Sequence, residues 1–170
     1  FIEGSVFTTA KARFIGIPLR YNIYNDQVEF RKGDGIVQVL AAPAIIEKIE
    51  LGDISLEYSP YSIQKKIKHG FFVVLEKGNA SLYSRPGIIF KEAEKAEAYK
   101  EPQPPRFIRK ADEYFIRIGE DPALPITKRK DLVEILNDHE KDVSKFINDN
   151  QINTNKPETL IKLVQYYNSL

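Results

Sequence analysis

The chain has 170 residues, 42% of them apolar and 11% aromatic, enough to bury roughly 70% of its extended surface in one core or a core with a satellite. That composition excludes disorder as the main description, and the net charge of +1, from 25 basic and 24 acidic residues, leaves no overall field to draw in nucleic acid or an anionic membrane, so any such binding has to be local. The absence of cysteine excludes disulfides, thiolate zinc sites and cysteine nucleophiles together.

In chain order, Ile2, Val6, Phe14, Ile15 and Ile17 mark one or two strands. From Leu19 to Leu56 short apolar strands are turned at Asn25-Asp26, Gly33-Asp34-Gly35 and Gly52-Asp53, the pattern of an antiparallel meander. A two-residue turn at Asn25-Asp26 sets Tyr24 against Gln27, Ile23 against Val28 and Tyr21 against Phe30, with Asn22/Glu29 and Arg20/Arg31 on a wet face. At Gly52-Asp53, Leu51 meets Ile54, Ile49 meets Leu56, and Lys48 meets Glu57. Ser59-Pro60 is expected to stop the ladder, because proline cannot donate to it.

The continuous apolar run Phe71 to Leu75 reads as a strand covered on both faces. A turn at Lys77-Gly78 sets Leu75 against Ala80, Val73 against Leu82 and Phe72 against Tyr83, and Ile88-Ile89-Phe90 is a further strand after Pro86-Gly87. Lys91 to Lys100 is a short helix or a solvated ribbon, followed by an extended passage through Pro102, Pro104 and Pro105. A last hairpin turns about Ala111-Asp112, and the β part ends near Gly119.

From Thr127 onward the apolar spacing changes from two to three or four. Leu132, Val133, Ile135 and Leu136 make one helix with Thr127 as N-cap; Val143, Phe146 and Ile147 make a second, starting near Asp138. The third has Leu160, Ile161, Leu163, Val164 and Tyr167 on its apolar face, Pro157 in its first turn, and capping-box spacing between Asn155 and Glu158. All three are too short to stand alone.

Most chemical motifs fail on inspection. Gly33-Asp34-Gly35 lacks the third glycine and the following helix of a phosphate loop, and Gly4-Ser5 lacks the second glycine of a nucleophile elbow. Asp149, Gln151 and Asn153 begin like a calcium loop, but Thr154 and Leu160 stand where glycine and glutamate are required. His69 and His139 are seventy positions apart and supply no local ligand pair. Neither a metal nor another cofactor is expected. Glu92, Glu94, Glu97 and Glu101 alternate with Lys and Ala as a solvated face does.

What remains is the segment between two strands that carries Tyr58, Tyr61, Lys65, Lys66, Lys68 and His69 with no acid from Tyr58 to Leu75. Basic residues interleaved with aromatics suit a stacking or anion-binding surface. The alternative is that the lysines merely solubilise a loop while the aromatics enter the core.

Pro18 to Asp26 with Val28-Glu29-Phe30, then Gly70 to Leu75, Leu82-Tyr83 and the helix from Leu160 to Asn168, resemble uncharacterised exported proteins of Bacteroidetes-type bacteria. The resemblance implies a β-rich body, a helical tail and export to the periplasm, cell envelope or beyond. It attaches no activity and no catalytic residue. The chain has no methionine and opens on Phe1-Ile2, so a processed product whose export signal has been removed is expected. No apolar run approaches the ~18 residues of a membrane span.

The expected fold is α+β: residues 1–119 form an antiparallel meander of eight to ten strands, curled or folded as a sandwich, and residues 120–170 a helical unit packed on or beside it. The expected function is a noncatalytic envelope binding module, with an envelope protein, an anionic glycan or a lipid head group as partner. The alternative is a hydrolase whose carboxylates are assembled only by the fold.

Overall fold

In the computed structural model, which describes residues 1–95, 99 and 101–170, the hydrophobic alternation of the first 126 residues becomes one antiparallel sheet. Its strands are β1 (Ile2–Thr8), β2 (Arg13–Asn22), β3 (Gln27–Arg31), β4 (Val37–Val39), β5 (Ile46–Leu51), β6 (Ile54–Ile63), β7 (Lys66–Glu76), β8 (Ala80–Lys91), β9 (Arg106–Ile118) and β10 (Leu124–Ile126). They lie in the order β10-β9-β8-β7-β6-β5-β1-β2-β3-β4. The helices α1 (Arg129–Ile135), α2 (Glu140–Asp149) and α3 (Pro157–Asn168) follow. None of the helices among the described residues is long and apolar enough to cross a membrane.

The sheet buries residues on both sides because it curls. On β7, Phe71 belongs to a cluster with Leu19, Val28, Ile49 and Leu56, whereas Phe72 belongs to one with Tyr61, Tyr83, Phe115 and Ala123. Phe71 and Phe72 are 2% and 0% exposed, so the apolar run is covered on both faces as its sequence requires. The helices cover Ala80, Leu82 and Ile116 with Leu132, Val143, Leu160, Leu163 and Val164, and the sheet and the helical unit thus share a core.

Several registers differ from expectation. The first hairpin closes over four residues, 23–26, and pairs Asn22 with Gln27, Tyr21 with Val28 and Arg20 with Glu29. This is two residues from the expected register, so every side chain keeps its face while Arg20 gains an acid opposite it in place of Arg31. The hairpin at Gly52-Asp53 has the expected pairs Leu51–Ile54 and Ile49–Leu56. Lys48, however, bonds Glu50 at 2.6 Å, and Glu57 is taken by Lys77 at 2.6 Å. Strands β7 and β8 pair Val73 with Ser84 and Val74 with Tyr83, again two residues from the expected register.

Three breaks expected from turn-forming residues are absent. Strand β6 runs through Ser59-Pro60, because the Pro60 carbonyl points away from β7, where it accepts from the Ala123 N–H at 2.9 Å. The missing proline N–H lies on that same outer edge and costs the β6–β7 ladder nothing. Ser62 N–H donates to the Ala123 carbonyl at 2.9 Å, and this bridge brings β6 through β10 round upon themselves about Tyr61, Phe72, Tyr83 and Phe115. Pro86-Gly87 and Ala111-Asp112 make no turn either. Between the pairs Arg85–Glu113 and Gly87–Lys110, Pro86 alone opposes Ala111 and Asp112, a bulge within one long β8–β9 ribbon. The sheet also continues past Gly119 into β10.

At the helix starts, Thr127 is not the N-cap of α1; Lys128 is, and the Asp131 carboxylate accepts from Thr127 N–H, Thr127 Oγ1 and Lys128 N–H. Helix α3 begins at Pro157 as expected, but Thr159 Oγ1, rather than a box between Asn155 and Glu158, ties its first turn, accepting from Asn153 N–H. Of the 91–100 segment, the expected helix and Glu97 lie partly or wholly outside the described residues.

Candidate binding surface

The segment expected to be a loop is the hairpin of β6 and β7. Its turn is two residues, Gln64 (φ 51°) and Lys65 (φ 62°), both left-handed, as a hairpin of this length demands. Ile63 pairs with Lys66, Ser62 with Ile67, Tyr61 with Lys68 and Pro60 with His69. Cross-strand partners share a face, so Tyr61, Lys66 and Lys68 belong to one side and Tyr58, Ile67 and His69 to the other. Five of the six residues expected to make one patch are therefore divided between two faces, and Lys65 lies in the turn.

Tyr61 leaves the candidate surface altogether. It is 4% exposed, its ring packs edge-on against Phe72 and Phe115 at 5.4 and 5.7 Å, and the Arg85 guanidinium lies 4.7 Å from its centre. Tyr58 is half-buried, edge-on to Phe71 at 5.1 Å and stacked beside His69 at 6.0 Å. Lys65, Lys66, Lys68 and His69 are exposed. None of the three lysines is held in an ion pair with a described residue. Between Lys66 and Lys68 stands Ile67, a β-branched apolar side chain 63% exposed.

A junction and cleft elsewhere on the sheet are not expected from the sequence. Strand β7 pairs with β8 only from Val73 onward, and the first hairpin reaches into the gap beyond. Asp26 Oδ1 accepts from Tyr21 Oη at 2.8 Å and from the Phe71 N–H at 3.2 Å; Oδ2 accepts from Arg85 Nη2 at 3.2 Å. Gly70 makes room for this carboxylate, because a Cβ there would lie 2.6 Å from Oδ2. Burial and the adjacent carboxylate push the Tyr21 phenol well above its ordinary range. Asp26 is a turn residue by sequence and by conformation (φ 53°), but nothing local signals that Arg85 waits across the sheet.

Beside this junction lies a cleft of about 260 Å³ whose lining includes Tyr24, Arg85, Gly87, Lys110 and Glu113. Tyr24 stands edge-on to Phe107 at 5.1 Å, and Phe107 meets Phe90 at 5.2 Å on the β8–β9 ribbon. Asp26 and Glu113 are the acids of the cleft. Asp26 is engaged by three donors that hold the sheet together, so proton transfer through it would loosen the junction. Compared with protein-family models, with curated proteins and with solved structures, the chain matches none.

Proposed function

We propose that the protein is a noncatalytic binding module of the cell envelope and that its partner is anionic, met at the tip of the β6–β7 hairpin. The observation that carries this reading is the set of exposed side chains of Lys65, Lys66 and Lys68, with no acid between Tyr58 and Leu75, on a nearly neutral chain. Other exposed lysines are without a described carboxylate partner too, but only here do three fall within four positions with no acid nearby in sequence. With no ion-pair partner among the described residues, they attract negative charge within the ~8 Å screening length of physiological salt. Export is the part of the proposal that rests on the sequence resemblance.

The test is a binding titration at low salt of the intact chain and of Lys65→Glu/Lys66→Glu/Lys68→Glu against polygalacturonate and against phosphatidylglycerol vesicles. The intact chain should bind at least one of them, and the variant neither, with thermal midpoints within a few degrees because three exposed substitutions at about 0.5 kcal/mol each sum to about 1.5 kcal/mol at most. Retained binding by the triple variant, or no binding by the intact chain, overturns the proposal.

A further inference from the structure

Resting on that reading, we infer that the anionic partner is a lipid surface, engaged tip-first: Lys65, Lys66 and Lys68 contact head groups while Ile67 enters the acyl boundary. A small anion requires donors that converge, as the three donors on Asp26 do. The hairpin lysines are instead spread along its tip. Lys66 and Lys68 project from one face of the hairpin, Lys65 from the turn itself, and Ile67 from the opposite face. A planar charged surface meets lysines spread in this way together, since each long side chain can carry its ammonium group to the head-group layer while its apolar stem lies deeper.

Ile67 points the same way. It is 63% exposed on the face opposite Lys66 and Lys68, with Ser62 as its cross-strand partner, a position that contributes nothing to the core and that suits an interface with an apolar phase just beneath an anionic layer. Lys65 adds a third observation. A left-handed position strains every residue but glycine and is least awkward for asparagine or aspartate, yet here a lysine occupies it. Its charge is thereby placed at the furthest point of the hairpin.

Each lysine near an anionic membrane strengthens binding by about fivefold, so three give about a hundredfold preference over a neutral surface. Sedimentation with phosphatidylglycerol-containing vesicles and with neutral phosphatidylcholine vesicles should show that preference. Lys65→Gln/Lys66→Gln/Lys68→Gln should abolish it. Lys141→Gln/Lys145→Gln/Lys162→Gln, which removes the same charge from exposed positions on α2 and α3, should retain it.

Because the chain contains no tryptophan, Ile67→Trp supplies a single fluorescent reporter. Its emission should shift to the blue on phosphatidylglycerol vesicles and be quenched by lipids labelled in the acyl chain. Vesicle binding without that shift overturns the tip-first geometry, as does equal loss of binding in the control triple variant. Binding to polygalacturonate but not to vesicles overturns the lipid inference and leaves the anionic binding module standing. Binding to neither overturns both.

Discussion

Asn168, near the end of the chain, and Ala80, the first residue of β8, exchange two hydrogen bonds: the Ala80 N–H donates to Asn168 Oδ1 at 2.8 Å, and Asn168 Nδ2 donates to the Ala80 carbonyl at 2.9 Å. The carboxamide thus acts on β8 as a neighbouring strand would. Gly78 allows it, since a Cβ at that position would overlap the carboxamide.

Asn168→Ala should therefore destabilise the protein by about 2 kcal/mol, because the main chain of fully buried Ala80 loses both partners. Gly78→Ala should do comparable damage by displacing the same carboxamide. Urea unfolding of both single variants and the double variant is the check: two routes to one lost contact should sum to less than their separate effects.

The helices should depend on the strands beneath them. Leu163 is fully buried against the cluster that contains Ala80, Leu82 and Ile116, so Leu163→Ala should cost roughly 2 to 5 kcal/mol. A fragment from Pro125 to Leu170 lacks those three residues and should give weak helicity and no cooperative melt by circular dichroism.

Acid should weaken the first hairpin through Glu29. Hydrogen bonds from Asn22 and Arg20 hold its carboxyl below the ordinary 4.5, against the opposing effect of burial. A carboxyl lowered in the folded state contributes stability above its unfolded pKa and loses it as pH falls through the folded value. The stability advantage of the intact chain over Glu29→Gln should accordingly be complete near neutrality and shrink below about pH 4.5. Urea titrations of both proteins at pH 7, 5 and 3 measure it.

The Asp26 junction has an optical signature. Asp26→Ala leaves Tyr21 Oη, the Phe71 N–H and Arg85 without their common acceptor, at a cost of about 2 to 4 kcal/mol. With the carboxylate gone, the Tyr21 phenol should ionise at lower pH than in the intact chain, burial alone remaining to raise it. Ultraviolet absorbance during alkaline titration follows the change.

What the sequence disclosed depended on parity more than on register. Tyr21 and Val28 were assignable to one face although their partners were not, because the error at the first hairpin was two residues and strands repeat every two. Proline and Ala-Asp pairs misled where long strands absorb them, at Pro60 on an outer edge and at Pro86 within a bulge. At the candidate surface, the exposure of the lysines was legible from their density. The burial of Tyr61 agrees with the alternative in which the aromatics enter the core, but the register that places it there follows from a turn at Gln64-Lys65 that carries no glycine or asparagine to announce it. Contacts such as Asp26 with Arg85 join residues 59 positions apart, and no local pattern encodes such a meeting.

The bridge from Ala123 to Pro60 and Ser62 predicts an order of folding events. Strands β6 to β9 pair in sequence, each with the next, and such neighbouring hairpins form within microseconds. Ala123 closes onto β6 only across the whole intervening chain, a loop whose entropy must be overcome before the bridge returns anything. The two amides involved, Ser62 N–H and Ala123 N–H, should acquire protection last in pulsed hydrogen exchange during refolding, after those of the β8–β9 ladder. The aromatic rings around Tyr61 should then stay wet until the final step, and a chain arrested just before it would present that apolar interior to its neighbours.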